Sequence, residues 1–236
     1  MRVRKKKHAN ERINACAEFL IEKPTSLKEN PQYPFEEKRP LHLEIGCGKG
    51  NFAVGMTSKH HDFNLIAMEK VADVAVTALE KAEEAKDSRP DNLRFIIGDA
   101  KFLPDYFPEH SIDTIYVNFC DPWPKKGHAK RRLTYHTFLD IYRQLLVEDG
   151  MLIFKTDNEK LFDFSMEEFL RCGLNIEWFC RDLHNSDTDY ARDNVMTEYE
   201  RNFSSKGMPI YSARVRFENV NVPLSYKEEE KTDEEA

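Results

Sequence analysis

From Leu41 onward, two kinds of hydrophobic pattern alternate along the chain. Short continuous apolar runs are typical of strands that are buried on both faces, and stretches with apolar residues three and four positions apart are typical of amphipathic helices. The predicted strands cover 41–46, 64–70, 93–100, 114–119, 150–158, 176–183 and 209–217. The predicted helices cover 10–22, 51–59, 71–86, 134–150 and 159–172.

This alternation predicts an α/β fold with a mostly parallel seven-stranded sheet and helices on both faces. The last connection, 184–208, is polar and carries no clear long helix, so the seventh strand is predicted to be antiparallel. Gly173 directly follows the helix predicted at 159–172 and is predicted to be its C-cap.

Three regions are expected. Residues 1–40 form a basic N-terminal arm and a proline-containing loop, and residues 41–218 form the main domain. The tail 219–236 is rich in acidic residues and is expected to be disordered.

Composition narrows the class of protein. The longest apolar runs are five or six residues, whereas a membrane-spanning helix needs about 20. The basic N-terminus leads into no apolar signal region, so a cytoplasmic protein without a membrane segment is expected. The five cysteines are irregularly spaced without a CxxC pair, and the histidines form no metal-binding motif, so no metal is expected.

Charge is unevenly distributed. The formal net charge of −7 argues against a general nucleic-acid binder, but the segment 227–236 alone holds six acidic and two basic residues. Residues 1–7 hold five cations, and residues 125–132 hold five more without an acid. Two basic segments in an acidic protein favour contacts with phosphate groups, although each run alone is also compatible with a solvated surface.

Candidate ligand-binding residues follow three successive strands. Ligands of open α/β sheets bind at the carboxyl ends of the strands. The first strand ends in "EIGCGKG", with Glu44 before a turn that contains Gly46 and Gly48. Glu69 ends the second strand, where a carboxylate could accept hydrogen bonds from ribose hydroxyls, and Asp99 ends the third, where it could hold an adenine amino group.

The glycine spacing favours one cofactor over another. A dinucleotide site has the spacing GxGxxG and faces a pyrophosphate, whereas this turn has GxGxG beside an acid that would repel a pyrophosphate. Glu44 suits S-adenosylmethionine, which carries a sulfonium and an ammonium group. A purely structural glycine turn with surface acids is the alternative.

The stretch "NFCDPWPKKGHAKRRL" (118–133) contains a candidate catalytic carboxylate next to a run of positive charges. Asp121 follows the fourth strand and is expected at the same edge as the cofactor, in a loop that Pro122 and Pro124 stiffen. Trp123 either stacks on a base or packs under the loop. The cations expected to contact phosphates are Lys125, Lys126, Lys130, Arg131 and Arg132.

Together with "EIGCGKG", "FKTDN" and "NVMTEYERNFSSKG" (194–207), this stretch resembles the bacterial tRNA (guanine-N7-)-methyltransferases. The resemblance implies a Rossmann-like class I methyltransferase domain that uses S-adenosylmethionine to methylate guanine 46 in the tRNA variable loop. It implies cofactor contacts at Glu44, Glu69, Asp99 and Asp121, with Asp121 also catalytic.

The resemblance also implies tRNA contacts at Lys125, at Asp157, in the loop after Lys126, and at Thr197, Glu198, Tyr199 and Glu200. The chain departs from the family pattern at Gly127 and Asn202, where basic residues are common. The oligomeric state stays open between a monomer and a homodimer.

Guanine N7 carries a lone pair and no hydrogen, so its methylation needs orientation and exclusion of water more than a base. We expect Asp121 to orient the reactants and to stabilise the positive charge that develops on the purine. Methylation of pyrimidine carbon 5 would instead need a cysteine nucleophile, for which Cys120 is the candidate. An RNA-binding module with a degenerate methyltransferase fold is a further alternative, and the glycine spacing disfavours a dehydrogenase.

Overall fold

The structure, a computed structural model, describes residues 6–88 and 91–218. Seven strands form one sheet in the order β3-β2-β1-β4-β5-β7-β6. Their bounds are β1 Leu41–Ile45, β2 Asn64–Glu69, β3 Leu93–Ile97, β4 Ile112–Asn118, β5 Leu146–Thr156, β6 Asn175–Cys180 and β7 Tyr211–Arg216. Strands β1 to β5 are mutually parallel, and β7 is antiparallel to both of its neighbours, which confirms the predicted sheet.

Helices cover both faces of the sheet, as predicted. Their bounds are α1 Ala9–Ala15, α2 Asn51–Lys59, α3 Ala72–Glu84, α4 Leu103–Tyr106, α5 His136–Leu145, α6 Glu159–Arg171, α7 Asp189–Arg192 and α8 Glu198–Ser204. One core cluster packs α1, α2 and α3 against one face of the sheet, and a second packs α4, α5 and α6 against the other.

The N-terminal segment differs from the predicted helix 10–22. Helix α1 ends at Ala15, a short 3₁₀ turn follows, and Leu20 then forms a parallel bridge with Phe95 of β3. Phe19 and Ile21 are both buried, so the chain leaves the helix in order to bury them along the open edge of the sheet. This arrangement covers an edge strand that would otherwise expose its backbone.

The ends of helices α5 and α6 can be compared with the boundaries predicted from the sequence. The helix predicted at 134–150 already ends at Leu145, because residues 146–150 join β5 through an irregular register opposite β4. Gly173 is the predicted C-cap of α6: it has a φ of 69°, and the Leu174 amide donates to the Phe169 carbonyl at 3.0 Å. This is a Schellman arrangement, so the prediction is confirmed.

The connection 184–208 contains the end of a 3₁₀ turn (Leu183–Asn185) and the short helices α7 and α8. Val195 within it packs against the core cluster that contains α2, so the connection lies on the α2 face of the sheet. The acidic tail 219–236 and residues 1–5 of the basic arm lie outside the described residues.

The glycine turn should tolerate a side chain differently at two positions. Gly50 has a φ of 77°, and a Cβ there would lie 2.7 Å from the Ala78 Cβ, whereas Gly48 also has a positive φ (56°) but no atom near an added Cβ. Left-handed backbone costs about 1–2 kcal/mol and overpacking about 1–3 kcal/mol more. Gly50→Ala is therefore expected to lower the free energy of unfolding by about 3 kcal/mol and Gly48→Ala by about 1 kcal/mol.

Urea unfolding followed by tryptophan fluorescence measures both values. Equal losses in the two variants would contradict close packing of the turn on α3.

Candidate active site

The carboxyl ends of β1 and β4, the start of α2 and helix α8 enclose a cavity of about 270 Å³. Its lining comes from the glycine turn, the end of β4 and the segment around α8. The lining residues are Glu44, Gly46, Cys47, Gly48, Lys49, Asn51, Phe52, Val74, Asn118, Phe119, Thr197, Tyr199 and Asn202. Residues that are distant in the sequence therefore meet at the sheet edge where ligands of open α/β folds bind.

Glu69 connects two loops at this edge. Its carboxylate accepts hydrogen bonds from the Gly48 amide at 3.0 Å and from the Val71 amide at 2.8 Å. A carboxylate has about four acceptor positions. Glu69 can therefore fix the glycine turn and still accept hydrogen bonds from a ligand.

Glu44 is buried, and its environment opposes ionisation. Burial raises the pKa of its carboxyl to about 7, although a hydrogen bond from Asn118 and the nearby charge of Lys155 both act to lower it. The Asn118 amide donates to Glu44 Oε1 at 3.3 Å. Glu44 Oε2 and Asn118 Oδ1 are both buried and have no hydrogen-bond partner among the described residues.

When Glu44 is ionised, these two oxygens are buried acceptors without partners among the described residues, which is costly unless a donor fills the cavity. A cationic ligand with an ammonium group would supply that donor and would favour the ionised form of Glu44. The residues present therefore fit the positively charged cofactor expected from the sequence.

Asp99 lies at the end of β3, outside the cavity lining. Its carboxylate pairs with Lys70 at 2.8 Å and accepts from the Lys101 amide at 3.2 Å. Partial burial acts to raise the pKa of Asp99, but these interactions outweigh it, so the pKa is lowered and the carboxylate is charged. Lys70 is mostly exposed, so a ligand can displace this pair at little cost.

Asp121 is exposed in the loop after β4 and does not line the cavity. Two non-glycine residues of this loop have left-handed backbone, Phe119 with a φ of 51° and Trp123 with a φ of 42°. Arg132 supports the loop by donating to the Pro122 carbonyl at 3.1 Å and to the Trp123 carbonyl at 3.0 Å. Strained backbone held by surrounding contacts is a feature of functional loops.

Within the basic run, the cations have different environments. Lys125, Lys126, Lys130 and Arg131 are exposed. Arg132, by contrast, donates to the carbonyls of its own loop and lies 4.1 Å from the ring centre of Phe164. Its placement supports a structural role beside the phosphate contact expected from the sequence.

The half-buried Trp123 contacts side chains of its own loop. The guanidinium of Arg131 lies 4.9 Å from the centre of its ring, and His128 meets the ring edge-on at 5.8 Å. These contacts favour packing over a free stacking surface.

Thr197 and Tyr199 reach the cavity from α8. Thr197 is the N-cap of α8, within a capping box that it forms with Glu200. The Tyr199 hydroxyl lies 3.5 Å from Asp157 Oδ2, and its ring contacts Phe119 at 5.2 Å. The side chain of Glu198 lies outside the described part of the structure.

Glu200 departs from its expected role as a tRNA contact. It is fully buried, and Lys155 Nζ donates to its Oε2 at 3.0 Å, while Asn194 Nδ2 donates to its Oε1 at 2.6 Å. Because solvent cannot reach this carboxylate, it does not contact a substrate in this conformation. Its hydrogen bonds instead fix the start of α8.

Sequence reasoning missed Asn118, Phe119 and Lys155. The two former residues end the apolar run before Asp121, and their position at a strand end was an available signal. Lys155 interrupts the apolar fifth strand in "FKTDN" and is only 3% exposed. A lysine within an otherwise apolar strand signals a buried partner, but the sequence does not say which one.

Cys120 lacks the properties of a nucleophile. Burial, and to a lesser extent the neighbouring Asp121, raise the pKa of its thiol to about 12. Only a thiolate attacks carbon, so this environment disfavours the carbon-5 alternative.

Residues 6–88 and 91–218 contain no group of three or more His, Cys, Asp or Glu side chains that could hold a metal ion. None of their helices combines the length and apolar character that a membrane crossing requires.

The chain is similar in sequence to several curated proteins. A family model described as "Putative methyltransferase" matches residues 38–213. A tRNA (guanine-N(7)-)-methyltransferase of Streptococcus mutans is 43% identical over 217 residues, which cover 92% of this chain and 100% of that protein. The enzyme of the same name from Limosilactobacillus reuteri is 45% identical with the same coverage.

Solved structures share the fold at low sequence identity. A structure described as an antibiotic related methyltransferase superposes with a TM-score of 0.52 at 13% identity and covers 91% of this chain and 96% of its own. The aminoglycoside resistance methyltransferase NpmB1 gives a TM-score of 0.52 at 15% identity, with coverage of 80% and 92%. These similarities confirm the Rossmann-like methyltransferase fold.

The raised pKa of Glu44 predicts a pH-dependent stability difference. Between about pH 4.5 and pH 7 the folded protein holds a proton that the unfolded chain has lost, so the contribution of Glu44 to stability falls as pH rises through this window. Glu44→Gln removes this loss. Its free energy of unfolding should therefore rise relative to wild type by on the order of 3 kcal/mol between pH 4.5 and pH 8.

Urea unfolding of both proteins at several pH values measures the difference. Burial lowers the pKa of His42 to about 4, which acts in the opposite direction, so only the comparison with the variant isolates Glu44. The exposed Glu148→Gln is the control. A difference that stays constant with pH would contradict a neutral Glu44.

Proposed function

The chain belongs to the tRNA (guanine-N(7)-)-methyltransferase family, and we propose that it transfers a methyl group from S-adenosylmethionine to N7 of a guanine in tRNA. The observation that carries the proposal is a pair of buried acceptors, Glu44 Oε2 and Asn118 Oδ1, at a cavity beside the glycine turn; neither has a hydrogen-bond partner within residues 6–88 and 91–218. The sequence resemblance further supports position 46 in the variable loop as the target.

The cavity suits the amino-acid end of the cofactor. Glu44 and Asn118 would accept hydrogen bonds from its ammonium group, and the turn at Gly46 and Gly48 leaves open space above the backbone. Glu69 would bind the ribose hydroxyls with its remaining acceptor positions, and Asp99 would bind the adenine amino group in place of Lys70. Bound there, S-adenosylmethionine supplies an electrophilic methyl group on a sulfonium centre.

Asp121 acts on the side of the target base. Because guanine N7 has a free lone pair, this carboxylate has no proton to remove. It orients the base and stabilises the positive charge that develops on the purine ring during methylation. The hydrogen bonds of Arg132 to the Pro122 and Trp123 carbonyls support the loop that carries Asp121 beside the exposed cations.

The tRNA side of the site joins two surfaces. Lys125, Lys126, Lys130 and Arg131 are exposed next to Asp121 and would contact phosphates, which give affinity and register. Tyr199 and the carboxylate of Asp157 would contact the nucleotide from the other side. Residues 41–218 would then form the catalytic domain, with the arm 1–40 beside it and tRNA as the partner.

Incubation with unmodified tRNA and labelled S-adenosylmethionine, followed by nucleoside analysis, tests the proposal. We expect labelled N7-methylguanosine from the unmodified tRNA. A tRNA in which guanine 46 is replaced by adenine should incorporate no label. A different modified nucleoside would contradict guanine N7 as the target and would identify another one. Binding of tRNA without any modification would favour a non-catalytic RNA-binding module.

Asp121→Asn should separate chemistry from cofactor binding. The amide keeps the shape of the side chain but loses the charge that stabilises the methylated purine, so we expect the single-turnover rate to fall about 100-fold. The affinity for S-adenosylhomocysteine, measured by calorimetry, should change only a few-fold. A variant rate close to that of the wild type would contradict the role given to Asp121.

A further inference from the structure

One wall of the cavity comes from the segment 193–202, here called the wall segment. It contributes Thr197, Tyr199 and Asn202 to the lining of the cavity that Glu44 and the glycine turn also line. A displacement of this segment would therefore change the distance between the cofactor side of the site and the base side.

Gly55 on α2 allows the wall segment to lie close against that helix. A Cβ on Gly55 would lie 2.8 Å from Val195 Cγ1, a distance that real Cβ atoms do not show. The backbone of Gly55 is ordinary helix, so no local conformation requires a glycine there. A side chain at position 55 would therefore have to displace the Val195 methyl group or the segment that carries it.

Lys155 fixes the same segment from the end of β5. Its ammonium group donates to Asn194 Oδ1 at 2.8 Å, to the Val195 carbonyl at 3.2 Å and to Glu200 Oε2 at 3.0 Å. All three acceptors belong to the wall segment. A buried ammonium has three donors and needs a partner for each, so this segment has one favourable position on β5.

A third contact anchors the beginning of the segment. Lys59 at the end of α2 donates to Asp193 Oδ1 at 2.6 Å and to the Asp193 carbonyl at 3.0 Å. This pair is largely exposed and is worth little in stability. It nevertheless adds a point of attachment on the same helix as Gly55.

We propose that Gly55 and Lys155 are positioning residues for methyl transfer, because they set where the wall segment stands across the cavity from Glu44. The Tyr199 ring contacts Phe119, two residues before Asp121, and its hydroxyl reaches Asp157. A shift of the wall segment would therefore also change the contacts of the loop that contains Asp121. The inference rests on the proposed function for its kinetic consequence.

Gly55→Ala is the direct test. Alanine favours the helix over glycine by about 1 kcal/mol, which offsets part of the cost of the clash. The melting temperature should therefore fall only slightly, while the clash displaces Val195 and the wall segment that carries it. We expect the turnover number on tRNA to fall about tenfold at saturating substrates, and the Kd for S-adenosylhomocysteine to change less than threefold. Adding Val195→Ala should restore most of the turnover, because it removes the atom that clashes.

Hydrogen exchange provides a readout that is independent of activity. The backbone amides of 193–202 should exchange faster in Gly55→Ala, and Val195→Ala should reverse the change. Ser58→Ala, on the exposed side of α2, is the matched control and should leave both exchange and turnover unchanged.

Asn194→Ala tests the contact with Lys155 without adding volume. It removes an acceptor from Lys155 and a donor from Glu200, and should give the same split between turnover and cofactor affinity. This variant decides the outcome if Gly55→Ala does not fold. Unchanged turnover and exchange in the folded variant, or a loss that Val195→Ala does not reverse, would overturn the proposal.

The proposed function and the positioning role can fail separately. A wild-type protein that modifies no tRNA would refute the function. The exchange rates of the wall segment in Gly55→Ala and in the double variant would still decide whether Gly55 sets its position.

Discussion

The ion pair between Lys155 and Glu200 is the interaction on which the site depends. Both side chains are removed from solvent, where a charge is stable only if it is paired and hydrogen-bonded. Their pairing ties the start of α8 to the end of β5, and α8 in turn closes the cavity opposite Glu44. Within the described part of the chain, Glu44 and Asn118 each keep a buried oxygen without a hydrogen-bond partner, and the proposed ligand follows from these two acceptors.

The character of the loop after β4 changes at Asp121. Before it, apolar and amide side chains continue the strand into the cavity, and after it the exposed lysines form a basic surface. Arg132 joins the two parts, because its guanidinium belongs to the basic run but its hydrogen bonds hold the loop. In the proposed function, this one short stretch would face both a cationic cofactor and a polyanionic substrate.

The sheet and its main helices were predictable because buried parallel strands and amphipathic helices leave regular patterns in the sequence. Residues at strand ends, such as Glu44 and Glu69, were predictable from topology alone. The roles of Lys155, Gly55 and Glu200 were not, because each depends on a contact between segments that are distant in the sequence. The early end of α1 likewise follows from the need to cover β3, a tertiary demand that local periodicity does not express.

Burial raises the pKa of Glu44 to about 7, so at pH 6 its carboxyl is mostly protonated, and binding of the proposed cationic cofactor should displace that proton. Calorimetric titration with S-adenosylmethionine at pH 6, in buffers of different ionisation enthalpy, measures the protons released on binding. We expect the wild type to release a substantial fraction of a proton on binding and Glu44→Gln to release far less. Equal release by the two proteins would contradict this expectation.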